Sequence, residues 1–122
     1  MKPRNVDRED PKIAAVLDAF AADRRLAAIA KDYRARRKTG TSKFGSNALR
    51  VNGKLFALFV RGTLVVKLPK KRVDALVDAG LAEYFDPGHG RRMKQWATVR
   101  SPSLSWVELA TEAHQFVRDA GA

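Results

Sequence analysis

The sequence contains no cysteine, only two histidines, and 13 acidic residues against 24 lysines and arginines. The first absence excludes disulfides, thiolate zinc sites and cysteine nucleophiles, and it fits a reducing compartment. Long apolar runs are missing too: the longest, Leu55 to Val60, is far too short to span a bilayer. The start, MKPRNVDREDPK, is polar and mixed in charge and lacks the apolar middle of a signal peptide. Membrane insertion and signal-directed secretion are therefore not expected, and a cytoplasmic location is. His89 and His114 form no metal-ligand spacing, and there is no Gly-x-Ser-x-Gly elbow. Neither a catalytic residue nor a metal or other cofactor is nominated, so the expectation is a non-enzymatic protein.

What the chain does hold is 122 residues with 45% hydrophobic content, enough apolar material for the core of one domain. Its formal net charge of +11 is unevenly placed. From Lys43 to Arg72 there are eight basic side chains and no acid. Just upstream, Lys31, Arg34, Arg36, Arg37 and Lys38 are opposed only by Asp32. Regional charge of this kind favours a positive surface that meets an anionic partner over a uniformly solvated coat.

Asp10-Pro11 reads as an N-cap followed by proline at the first helical position, where its missing N–H costs nothing. Ile13, Val16, Leu17 and Phe20 follow at helical spacing, and Leu26, Ile29, Ala30 and Tyr33 repeat the pattern after a change of phase near Asp23. Either a kinked helix or two short ones is expected. KTGTSKFGSN, from Lys38 to Asn47, has loop composition; its Gly40 to Gly45 spacing lacks the Lys-Ser/Thr pair of a phosphate-binding P-loop. Three strands are expected over Ala48–Val51, Leu55–Val60 and Thr63–Leu68, joined by tight turns at Asn52-Gly53 and Arg61-Gly62. Pro69 opens a helix that Gly80 ends. Strands over Leu81–Phe85 and Met93–Val99 follow, and Ser101-Pro102 is read as capping a last helix that carries Leu104, Trp106, Val107, Ala110, Ala113 and Val117. The predicted class is α+β: an antiparallel sheet of about five strands, opened by a three-strand meander, with helices packed mainly on one side. A helical region over residues 1–39 and an α+β region over 40–122 are expected to form one compact domain.

Lys43-Phe44-Gly45-Ser46, Leu49-Arg50-Val51-Asn52-Gly53-Lys54-Leu55-Phe56-Ala57, Val65-Val66-Lys67-Leu68, Gly90-Arg91-Arg92-Met93-Lys94-Gln95-Trp96 and the Trp106–Ala110 helix resemble the N-terminal domain of the TfoX/Sxy competence regulators and their single-domain bacterial relatives. The related MmcQ/YjbR group is similar in its short apolar strands and a late Lys-x-Trp-like strand. The resemblance covers roughly residues 40 to 118. It implies an antiparallel α+β fold, a cytoplasmic bacterial protein and a regulatory role linked to DNA uptake or transcription, and it carries over no catalytic residue.

Candidate sites follow from charge and strand alternation. Arg50, Lys67 and Lys94 are expected on the sheet face opposite the helices, together with Trp96 and Phe59. With Arg34, Arg36, Arg37, Lys38 and Lys43 they make the expected nucleic-acid surface, cations for phosphates and an aromatic ring for unpaired bases. An acidic protein is the alternative partner. Leu55–Val60 is apolar on both faces, so a homodimer through Leu55, Ala57 and Phe59 competes for the same surface. A third reading places a small polar site at His89, Arg91 and Arg92. His114, near the apolar stripe of the last helix, reads as a packing residue.

Overall fold

A computed structural model describes residues 10–38, 47–88, 90 and 92–120, with the side chain of Lys38 outside the description. The chain begins with α1 (Pro11–Ala21), started as the sequence indicates: the Asp10 carboxylate accepts from the Lys12 N–H at 2.8 Å, and Pro11 occupies the first turn. The change of hydrophobic phase near Asp23 becomes a break between two helices. The Asp23 carboxylate accepts from Arg25 N–H, and its carbonyl accepts from the N–H groups of Leu26 and Ala27. This local turn competes with continuation of α1 and launches α2 (Ala27–Lys38).

Strands β1 (Ala48–Val51), β2 (Lys54–Val60) and β3 (Thr63–Lys67) form the antiparallel meander. Both connecting turns have positive φ at their two central residues: 52° and 78° at Asn52 and Gly53, 51° and 75° at Arg61 and Gly62. That is the type I′ geometry whose twist matches the strands it joins. After α3 (Lys70–Asp78), Gly80 adopts φ +76°, and bonds from Gly80 N–H to Val77 and from Leu81 N–H to Leu76 close a Schellman motif.

Strands β4 (Ala82–Phe85) and β5 (Met93–Val99) complete a five-stranded sheet in the order β1-β2-β3-β5-β4. Strand β5 thus lies between β3 and β4 and pairs antiparallel with both, so β3 and β4 run parallel and α3 is the crossover between them. The last helix, α4 (Trp106–Ala120), begins later than Ser101-Pro102. Ser101 instead anchors a turn through Ser103 and Leu104. The N-cap is Ser105, whose hydroxyl accepts from the Glu108 N–H at 3.1 Å. Ser105-x-x-Glu108 has the spacing of a capping box.

All four helices contribute to one core with the same face of the sheet. Val16, Leu17 and Phe20 of α1, Ile29 and Tyr33 of α2, Val73 and Leu76 of α3 and Leu109, Ala113 and Val117 of α4 pack with Leu49, Ala57, Val66, Ala97 and Val99. The outer-face residues Leu58 and Val65 lie outside that core. Helices therefore pack on one side, and the residues of 10–38 share the core of the sheet.

One irregularity decides what β2 shows to each layer. The β1–β2 register shifts between Leu49, opposite Ala57, and Arg50, opposite Leu55, so Phe56 is an extra residue. Such a bulge interrupts strict alternation. Phe56, Ala57 and Phe59 all join the core, with Phe56 stacked at 6.2 Å from Phe20 and Phe59 meeting Tyr33 edge-on at 5.6 Å.

Candidate functional site

The outer sheet face carries the row Ala48, Leu58, Val65, Thr98 and Glu83 in register across all five strands. Beside it, Val60 pairs with Thr63 and Lys67 pairs with Trp96. The Lys67 Nζ lies 6.0 Å from the centre of the half-buried Trp96 ring, a cation–π contact on the face away from the four described helices. Lys67 and Trp96 are thus on the expected face. Phe59 is not: it is 6% exposed and stacks on Trp106 in the core, because it alternates with Ala57 and pairs with Leu64 on the helix side of the sheet.

The sheet's topology gathers further cations at the end where Lys67 sits. Near that end β1 carries Arg50 as its penultimate residue, β2 begins with Lys54, β5 carries Lys94 as its second residue just after Arg92, and α3 starts with Lys70 and Lys71. Lys54, Lys67, Lys71, Arg92 and Lys94 make no ion pair among the described residues, and all but the half-buried Lys67 are exposed. The acid-free stretch from Lys43 to Arg72 is nevertheless not free of carboxylates in space: Arg50 pairs with Asp32 at 3.3 Å, Lys70 with Asp74 at 2.8 Å, and Arg72 with Glu112 at 2.9 Å. The β4–β5 register shifts next to Lys94, so alternation does not fix that residue's face; the pKa of Asp74 on α3 is lowered first by hydrogen bonds from Lys70 and Tyr84, with a smaller contribution from the Lys94 charge.

The upstream cluster has a different role from the one its density implies. Arg34 pairs with Asp18 of α1 at 2.9 Å. Arg36 donates to the Ala48 carbonyl at 2.6 Å, pairs with Asp32 at 3.1 Å and lies over the Tyr33 ring, so it ties α2 to the edge strand β1. Burial works to raise the Asp32 pKa, but hydrogen bonds and charge from Arg36 and then Arg50 overcome it and hold the carboxyl below its ordinary range. Arg34, Arg36 and Arg50 are therefore engaged within the molecule, whereas Arg37 is exposed and makes no ion pair among the described residues. Lys43, the Lys38 side chain, His89 and Arg91 lie outside the described residues, which leaves Arg92 as the described member of the expected polar site.

The expected dimer face is corrected in its membership. Ala57 is fully buried and Phe59 nearly so, both in the core beneath the helices. The apolar residues of β2 outside that core are Leu55, Leu58 and Val60, with Val65 of β3 beside Leu58.

A second feature, absent from the sequence reading, is a groove of about 670 Å³ between α2, the β1–β2 turn and α4. Arg25, Asp32, Arg50 and Arg118 line it, together with His114. His114 is 6% exposed and meets the Phe56 ring edge-on at 5.4 Å, so its packing role is real. Its pKa is lowered, first by burial and then by the charges of Arg118 and Arg25. It makes no hydrogen bond, and no buried side-chain polar atom among the described residues lacks a partner, so its ring nitrogens keep access to the groove. The four cationic or imidazole groups come from segments far apart in sequence, which is why no local motif announced them.

Among the described residues, no cluster of His, Asp and Glu is placed to hold a metal ion, and no helix is long and apolar enough to cross a membrane. The fold and these two surfaces define a small, basic α+β domain whose described helices share one face of the sheet. Comparison with protein-family models, curated proteins and solved structures finds no match to the chain.

Proposed function

We propose that this chain is a non-enzymatic, cytoplasmic regulatory module of the TfoX N-terminal-domain type that binds nucleic acid with little sequence preference. The observation that carries the reading is the convergence of Lys54, Lys67, Lys71, Arg92 and Lys94 at one end of the sheet, with the Lys67 ammonium over Trp96 on the outer face. Ammonium and guanidinium groups neutralise phosphates, and an accessible indole beside them stacks on unpaired bases. The antiparallel α+β architecture agrees with the resemblance, and a regulatory link to transcription or DNA uptake rests on that resemblance alone. Fluorescence anisotropy with single-stranded and duplex DNA at two salt concentrations tests the proposal. Dissociation constants of roughly 10⁻⁴ to 10⁻⁶ M that weaken steeply with salt are expected; no binding at low salt sinks it.

A second reading, self-association, draws on Leu58 and Val60, half-buried apolar side chains on the outer face of β2; Val65 beside Leu58 is only 1% exposed. Sedimentation distinguishes the two. A dimer that Leu58→Asp dissociates favours self-association, and a monomer at all concentrations removes it. Leu58 is the appropriate position because Phe59→Asp would place a charge in the core.

A further inference from the structure

The groove between α2, the β1–β2 turn and α4 lies on the helix side of the molecule, apart from Lys67 and Trp96, and calls for its own explanation. Three guanidinium groups reach it from three segments: Arg25 ahead of α2, Arg50 from β1 and Arg118 from α4. Arg25 meets Asp23 through Nε at 3.7 Å, and Arg118 meets Asp119 through Nε at 3.0 Å. In both, the Nη groups at the end of the fork make no hydrogen bond within the protein. Arg50 uses Nη2 on Asp32, leaving Nη1 and Nε unengaged. Asp32 is the one carboxylate in the groove's lining and is shared with Arg36; Asp23 and Asp119, the partners of Arg25 and Arg118, lie outside that lining and each takes one nitrogen of its arginine.

Two further groups complete the wall. Asn52 and Gly53, at the centre of the type I′ turn, present backbone N–H groups that a two-residue hairpin leaves outside the strand ladder. His114 also lines the groove, its pKa lowered first by burial and then by the charges of Arg118 and Arg25, against smaller opposing effects of Asp119 and Asp23. Ala28, Ile29 and Val51 supply the apolar part of the lining. The volume is far larger than a bare anion requires and falls in the range typical of small-molecule sites.

We infer that this groove is a binding site for a phosphate monoester: the phosphoryl group sits among Arg25, Arg50, Arg118 and His114, and the uncharged body of the ligand lies along Ala28, Ile29 and Val51. Guanidinium forks match phosphate oxygens in charge and in planar geometry, which an isolated carboxylate would use only in part. The assignment is independent of nucleic-acid binding by the sheet face.

The test is an NMR titration of the full chain at constant ionic strength, with inorganic phosphate, ribose 5-phosphate and ribose as probes. Saturable shifts are expected at the amides of Asn52 and Gly53 and at the His114 ring, with a dissociation constant on the order of 1 mM for inorganic phosphate and tighter for ribose 5-phosphate. Arg25→Gln and Arg118→Gln, both at partly exposed side chains, each weaken binding about tenfold while leaving the fold intact. Trp96→Ala leaves these shifts unchanged, which separates this site from the sheet face. Sulfate, whose charge does not titrate near neutrality, raises the His114 pKa by about one unit if the anion lies beside the ring. Shifts that are absent or unsaturated at tens of millimolar phosphate, that ribose alone reproduces, or that survive both arginine substitutions overturn the assignment. Since an oligonucleotide end also carries a monoester, 5′-phosphorylated and 5′-hydroxyl oligothymidylates form a second arm: a preference for the phosphorylated oligomer over ribose 5-phosphate assigns the group to a strand end, and the reverse assigns it to a small metabolite.

Discussion

Lys67 and Trp96 stand opposite each other on β3 and β5, with the ammonium 6.0 Å from the indole ring centre. The two side chains place a charge and a stacking surface within reach of one nucleotide. Trp96→Ala is expected to weaken single-stranded DNA binding by about 1–3 kcal/mol, the usual worth of one base–aromatic contact, and Trp96→Phe to retain most of it. Anisotropy of a labelled oligomer measures both; equal affinity of the alanine variant and the parent would remove Trp96 from the interface.

Neighbouring arginines on α2 are expected to separate by role. Arg36→Met removes the donor to the Ala48 carbonyl and the partner of Asp32, so urea unfolding should show a loss of about 1–3 kcal/mol. Arg37→Gln touches no described contact and should change stability by less than about 0.5 kcal/mol. If Arg37 contacts phosphate, its loss lowers the salt dependence of DNA binding by about one counterion.

The Arg61-Gly62 turn holds a non-glycine residue at φ 51° and a glycine at φ 75°. Nothing lies within 4 Å of where a Cβ on Gly62 would sit, so Gly62→Ala should cost only its backbone term, about 1 kcal/mol. Arg61→Asn should raise stability by about 0.5 kcal/mol, since asparagine tolerates the left-handed region better. Chemical denaturation decides both signs.

His114 has a pKa lowered by burial and then by Arg118 and Arg25. The unfolded chain therefore takes up a proton at its ordinary value near neutrality while the folded chain does not. The stability tied to the neutral ring is full above the unfolded pKa, and it is lost as pH falls from there through the lower folded value. Denaturation curves between about pH 8 and about pH 5 should show this fall in the parent and a flatter profile in His114→Met. Parallel profiles would contradict it.

Much of this architecture is legible in the residues. Asp10-Pro11, Asn52-Gly53, Arg61-Gly62 and Gly80 fix helix ends and turns through local backbone chemistry, and they stand where their types require. What escaped the reading is non-local. The placement of β5 between β3 and β4 depends on how α3 returns the chain, which strand composition does not encode. The carboxylates that engage Arg34, Arg50 and Arg72 come from Asp18, Asp32 and Glu112, distant in sequence, so counting charge along the chain overstated what is left for a partner. The groove around His114 draws on α2, a hairpin and α4, and no single segment carries its signature. By contrast, Ser105-x-x-Glu108 was a readable capping box, overshadowed by the nearer Ser101-Pro102.

The extra residue at Phe56 has a consequence for how this chain tolerates change. In an unbulged strand a substitution alters one side chain and leaves its neighbours in place. Here the count of residues between the Asn52-Gly53 turn and Ala57 itself decides which side chains enter the core. Deleting Lys54 would remove the bulge, bring Phe56 opposite Arg50 and Leu55 opposite Val51, and so turn Phe56 out of the core, whereas a conservative replacement of Phe56 would keep the register and lose part of its contact with Phe20 and His114. Variation in this hairpin is thus constrained in length more tightly than in composition, and a one-residue gap is the lesion the fold should accept least.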